Sequence, residues 1–319
     1  MITIQNQNFG VEIELTGITR EKAAQVISGY FGGTATGRLS DGYDTRTAKD
    51  NKGRTWKCMR DISISPEINV RGHRRSVSEG RSSDDHRCEV VTPILQYEDL
   101  EALQEIIRKL REAGAIANSS CGIHVHVDGA NHTPDSLTRL INFAVGRQDL
   151  FYEALEIGDR ENRWCKKINA NLLKAMKHDS VRSRESMERI WYSSINDGHI
   201  GGISHAHYDS SRYHGVNLHA FFTKGTVEFR LFNGTTHAGK IKAYVQFCLA
   251  MSAWAINAKD NLYFMKSAHY ESKEQRGKLM LAVLKNRLGL RGKEFKTCRL
   301  HLTAAFRPAE AEASAETAA

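Results

Sequence analysis

The sequence predicts an α+β domain: a mainly antiparallel β-sheet with helices packed on one face. Two observations lead there. Three segments, around residues 11–15, 123–127 and 227–231, alternate apolar and ionisable residues with the period of a strand. Stretches of helical periodicity separate them, and long polar segments connect them.

Residues 9–16 read as the first strand and 21–30 as a short helix. Residues 31–54, rich in Gly, Thr, Asp and Arg, read as a long loop with room for a hairpin. WKCMRDISIS, residues 56–65, can form a strand. Residues 65–87 carry Arg71, Arg74, Arg75 and Arg81 among serines and glycines and read as a second long loop. RCEVVTPIL, residues 87–95, is a β-branched strand stopped by Pro93. In 98–113, Leu100, Leu103, Ile106, Ile107 and Leu110 share one helical face, and Gly114 suits the C-cap. CGIHVHVDG, residues 121–129, is a second alternating strand. Thr133 caps, and Pro134 opens, a helix expected to run to residue 157. Residues 158–215 are basic and loop-prone. GVNLHAFFTKGTVEFRLFNGT, residues 215–235, reads as two strands joined at Lys224 and Gly225. Helices over 237–257 and 273–288 complete one expected catalytic domain, 1–302. Its basic insertions are 31–54, 65–87 and 158–215, and an Ala/Glu-rich tail, 303–319, is expected to be disordered.

The 319 residues are 40% hydrophobic and 26% charged, as in a soluble globular protein. The net charge of +8 points to an anionic partner: a nucleotide, a phosphate or a polyanion, nucleic acid included. The six cysteines form no C-x-x-C pair and are too sparse for a disulfide scaffold, so they read as reduced thiols in a cytoplasm. The first residues lack the basic start and apolar core of a signal peptide. The longest apolar run, 243–256, is interrupted by Gln246 and is too short for a bilayer, so no membrane partner is expected. Neither a Walker A loop nor a G-x-G-x-x-G is present, and GYFGGTATG reads as loop.

The three alternating strands share one design. Val11, Ile13 and Leu15 point to one side and Glu12 and Glu14 to the other. Ile123, Val125 and Val127 oppose His124 and His126, and Val227, Phe229 and Leu231 oppose Glu228 and Arg230. Taken singly, E-x-E reads as a solvated face, H-x-H as a structural pair and E-x-R as an ion pair. Together, with Glu89 of CEVVTP, they point to a site. Carboxylates gathered around imidazoles repel one another unless a cation sits among them. Oxygen-rich donors suit Mg²⁺ or Mn²⁺, histidine tilts toward Mn²⁺ or Zn²⁺, and an arginine beside such a cluster would hold a phosphate. Nucleotide-dependent chemistry and metal-dependent hydrolysis both fit.

The ordered motifs FGVEIEL, W…RDISI, CEVVTPIL, CGIHVHVD, RYHGVNL and GTVEFRLFNGT resemble the amidoligase family. That family belongs to the glutamine synthetase / glutamate–cysteine ligase superfamily of carboxylate–amine ligases. The motifs cover most of residues 8–257. The resemblance implies a curved antiparallel sheet of glutamine synthetase-like catalytic fold that holds two or more Mg²⁺ or Mn²⁺ ions and ATP. It implies Glu12, Glu14, Asp61, Glu89, His124 and Glu228 as metal ligands. His126, Asn217 and Arg230 fall to the nucleotide side, with Tyr213 in the same segment. Arg230, Glu12 and Glu228 carry catalysis. The implied reaction phosphorylates a substrate carboxylate with ATP, and an amine or ammonia then displaces phosphate to leave an amide. Ammonia could come from an amidotransferase-type partner, and the oligomeric state is left open. Two other functions compete: a metal-dependent hydrolase or nuclease using the same carboxylates, and a non-catalytic metal- or nucleotide-binding protein.

Overall fold

The computed structural model describes residues 1–77, 81–178, 181–195, 202–259 and 272–307. The expected tail lies outside the described residues from 308 onward. In chain order, β1 (Phe9–Leu15), α1 (Arg20–Tyr30), β2 (Arg46–Lys49), β3 (Thr55–Met59), β4 (Glu67–Val70) and β5 (His73–Ser76) come first. The short α2 (Arg81–Asp85), β6 (Cys88–Val91), α3 (Leu100–Glu112) and β7 (Gly122–Asp128) follow. Then come α4 (Pro134–Val145), α5 (Gln148–Ala154), α6 (Ala170–His178), α7 (Arg184–Ser194), β8 (Val216–Asn217) and α8 (His219–Lys224). The chain closes with β9 (Thr226–Asn233), α9 (Ala238–Asn257), α10 (Lys273–Ala282) and α11 (Lys296–Leu302). Seven strands form one sheet in the order β2-β3-β6-β1-β7-β9-β8, and β4 and β5 form a separate hairpin. The fold is α+β, and the pairs β1–β6, β2–β3, β3–β6, β4–β5 and β8–β9 are all antiparallel.

Several expected elements differ from those observed. The loop expected over 65–87 contains the β4–β5 hairpin and α2. All four residues of β5 are exposed, so its sequence lacks the alternation that marks a half-buried strand. The first strand expected over 215–235 is only two residues long. HAFFTK forms α8, ended by Gly225 with φ of 76° in the left-handed region that suits a helix C-terminus. The helix expected over 134–157 breaks at Gly146 and Arg147 into α4 and α5. The loop-prone stretch 158–215 holds α6 and α7. The strand expected over 56–65 ends at Met59.

The chain divides into two compact units. The first comprises Asn8–Val125 and Phe232–Lys242. Here Val11, Ile13 and Leu15 of β1, with Cys88 and Val90 of β6 and Trp56 and Cys58 of β3, are almost wholly buried. Helix α1 packs against β2, β3 and α3. The five expected apolar residues of α3 are all buried, each contributing about 1.5–3 kcal/mol. The stretch before β2 is tied down by Asp44, whose carboxylate takes ion pairs from Arg20, Arg38 and Arg46. Burial alone would raise its pKa, and the Arg20 and Arg46 guanidiniums outweigh that and hold it below the ordinary value. Just past β1, Gly17 has φ of 75°, and a Cβ there would lie 2.5 Å from the Gly114 carbonyl oxygen. Gly17→Ala is therefore expected to lower stability by more than about 1 kcal/mol, read from a denaturant midpoint.

The second unit comprises Met1–Gln7, His126–Leu231 and Ala243–Ala319. Its core is aromatic: Phe151 meets Phe247 edge-on at 5.1 Å, and Phe143 lies 4.4 Å from Trp254. Past α11, Phe306 is also buried. A buried relay runs from Ser136 Oγ through both nitrogens of His132 to Ser252 Oγ, which donates to Gln7 Oε1. Burial, helped by the Arg139 charge, pushes the His132 pKa down to about 4 from about 6.5. The unfolded chain therefore takes up this proton at higher pH than the folded one. Its contribution is complete above about pH 6.5 and is lost as pH falls toward 4, by at most about 3 kcal/mol. Thermal melts from pH 7 to 4 are expected to show this loss, and His132→Gln to flatten it. Among the described residues no helix is long and apolar enough to cross a membrane.

Candidate functional site

In the first unit the ionisable face of β1 is not a solvated one. Glu14 is 5% exposed, Glu89 9% and His124 3%. The register of β1 and β6 sets Glu14 directly opposite Glu89, an arrangement in which like charges destabilise a sheet. Asp61 joins them from the turn after β3, where its Oδ1 accepts the Ser63 N–H at 2.7 Å. Ligand atoms of Glu14, Asp61 and Glu89 all lie within 4.8 Å of one another, as do those of Glu12, Glu89 and His124. The His124 ring sits between two carboxylates, with Nδ1 3.0 Å from Glu12 Oε2 and Nε2 3.8 Å from Glu14 Oε1. Glu14 is aimed by the Gly122 N–H, which donates to its Oε2 at 2.6 Å. Four carboxylates and one imidazole form a donor set that fits a hard divalent cation, Mg²⁺ or Mn²⁺.

The second unit carries a different cluster on β8 and β9. Both oxygens of the buried Glu228 are engaged. Arg230 Nη1 donates to Oε1 at 2.5 Å, and Asn217 Nδ2 donates to Oε2 at 2.6 Å. Asn217 stands directly opposite Glu228 in the β8–β9 register, and its Oδ1 accepts the His219 N–H at 2.8 Å. His126 has Nε2 3.7 Å from Glu228 Oε1 and Nδ1 2.9 Å from the Thr226 hydroxyl. The E-x-R pair is thus an ion pair here, and a carboxylate held in this way keeps a lone pair on each oxygen for a cation. Arg230 is also held by its backbone, its N–H donating to the Gly215 carbonyl at 2.9 Å.

The structure thus gathers Glu12, Glu14, Asp61, Glu89 and His124 in one unit, and His126, Asn217, Glu228 and Arg230 in the other. Sequence reasoning missed the residues that orient them. Thr226 lies two residues before Glu228 on the same strand face, so extending the alternation by one step would have found it. Gly122 and His219 act through their backbone N–H groups, which no side-chain pattern marks. The His219 ring is also set in place, its Nδ1 2.7 Å from the Tyr192 hydroxyl. Burial lowers its pKa, favouring the neutral ring.

Residues 5–252 match the family described as "Putative amidoligase enzyme". No curated protein matches the chain significantly.

Proposed function

The chain belongs to the amidoligase family, and from that premise we propose that it is an ATP- and divalent-metal-dependent carboxylate–amine ligase working through an acyl phosphate. The observation that carries the proposal is the buried opposition of Glu14 and Glu89, with Asp61 and His124 beside them. A bound cation compensates such a concentration of like charge. In this reading two or more Mg²⁺ or Mn²⁺ ions are held on a glutamine synthetase-like sheet, by Glu12, Glu14, Asp61, Glu89 and His124 in the first unit and by Glu228 in the second. The ions, when bound, neutralise the triphosphate and polarise the phosphoryl group. Arg230 swings from Glu228 to the transferring phosphoryl, where a guanidinium matches its oxygens. His126 and Asn217 steady the phosphates. The substrate carboxylate attacks the γ-phosphorus, ADP leaves, and the amine or ammonia then expels phosphate. A cytoplasmic setting supplies ATP, and an amidotransferase-type partner could supply ammonia.

The test is ADP and phosphate release with Mg²⁺ or Mn²⁺ across panels of acids and amines. A ligase requires an acid and an amine together. Metal-dependent cleavage of an ester or nucleic acid without ATP would instead establish the hydrolase or nuclease reading. Metal binding with neither activity would leave the non-catalytic one.

A further inference from the structure

We infer that Trp164 and Tyr213 form a stacking platform for the nucleobase of a nucleoside triphosphate whose phosphates reach Arg230. The inference rests on the ATP-dependent reading above and adds to it the base-binding residues. The two half-buried rings meet edge to face at 5.7 Å. The platform is built onto Arg230 by the second unit's own backbone. The Lys166 N–H donates to the Tyr213 carbonyl at 2.8 Å, and the Gly215 N–H donates to the Lys166 carbonyl at 3.0 Å. Arg230 Nε points at the Trp164 carbonyl at 3.4 Å, and its guanidinium carbon lies 5.9 Å from the centre of the Tyr213 ring. From there the stack leads away in two directions. Arg163 lies over Trp164 at 4.4 Å. Arg212 lies 5.7 Å from Tyr213 and 5.8 Å from the exposed Tyr208.

This arrangement suits a nucleotide better than a purely structural stack. Base–aromatic stacking is sequence-tolerant, and a base would take the place of the exposed Arg163 guanidinium over the Trp164 ring. The exposed Arg163 and the half-buried Arg212 add positive charge along the path to Arg230.

The experiment compares binding of Mg²⁺-ATP and Mg²⁺-tripolyphosphate by calorimetry for the full chain, Trp164→Ala and Trp164→Phe. The Arg230 contact uses the Trp164 backbone carbonyl, so side-chain replacement leaves it available. The wild type is expected to prefer ATP over tripolyphosphate by about 5- to 150-fold, the range of one base stack. Trp164→Ala should erase that preference while keeping its tripolyphosphate affinity, and Trp164→Phe should retain most of it. Unchanged ATP affinity in Trp164→Ala overturns the platform and leaves the ligase reading intact. The platform is equally overturned if wild type shows no preference, or if Trp164→Ala loses both ligands alike, which marks a structural role. A wild type that binds neither ligand overturns the ligase reading and the platform with it.

Discussion

Glu14→Gln is expected to cut turnover at least about 10²-fold while making the metal-free chain more stable. The two effects have one cause. Glu14 and Glu89 face each other across β1 and β6 in buried positions, so the free chain carries their repulsion. A cation converts that repulsion into binding, and ligand binding to the folded state raises its stability by mass action. An amide at position 14 relieves the repulsion and can still accept the Gly122 N–H through its oxygen. It no longer offers an anionic ligand. Melting curves with and without Mn²⁺ should therefore cross: wild type lower without metal and clearly raised by it, Glu14→Gln higher without metal and nearly unresponsive. A variant that is less stable without metal, or that responds to Mn²⁺ as wild type does, contradicts a metal role for this pair.

The second large effect concerns Arg230. Arg230→Ala is expected to lose about 10²- to 10³-fold in turnover, typical of removing one preorganised charge from a transition state. It should also lose roughly 3–5 kcal/mol of stability, because Glu228 is left buried without its guanidinium. Stability alone could explain lost activity, so the informative variant is Arg230→Lys, which keeps a cation beside Glu228 and loses the guanidinium's two-oxygen grip on a phosphoryl group. It is expected to keep most of the stability, by urea unfolding, and to lose most of the turnover, by ADP release. Turnover retained together with stability would reduce Arg230 to a structural partner of Glu228.

The three alternating strands are legible because a strand buried on one side writes its period into the chain. The apolar sets of β1, β7 and β9 are all buried as that alternation requires. What the alternation cannot show is that the ionisable faces are buried as well. Burial of Glu14, His124 and Glu228 depends on neighbouring strands and turns, not on their own segments. Asp61 shows the same limit. Its strand ends earlier than the sequence suggests, yet a turn brings it to Glu14 and Glu89. Helix α8 escapes the pattern because His219 to Phe222 mixes aromatic and small residues without a polar face, and three of those side chains are apolar and buried. Helices α6 and α7 do carry the signal: Leu172, Leu173 and Met176, and Met187, Ile190 and Trp191, fall at helical spacing and are buried, and the charged residues between them mask it. Trp164 belongs to no motif, since its place beside Tyr213 is set by backbone pairing between 165–167 and 213–215.

If the buried carboxylates hold divalent cations for a reaction with ATP, the chain must take up those ions from solution. The most direct test titrates the chain with Mn²⁺ and follows the free-ion signal by electron paramagnetic resonance, with and without an ATP analogue. A metal centre of this composition predicts at least two Mn²⁺ bound per chain in the ternary complex, falling in Glu14→Gln and Glu89→Gln. A titration in which wild type and both variants leave the free Mn²⁺ signal equally undiminished would contradict it.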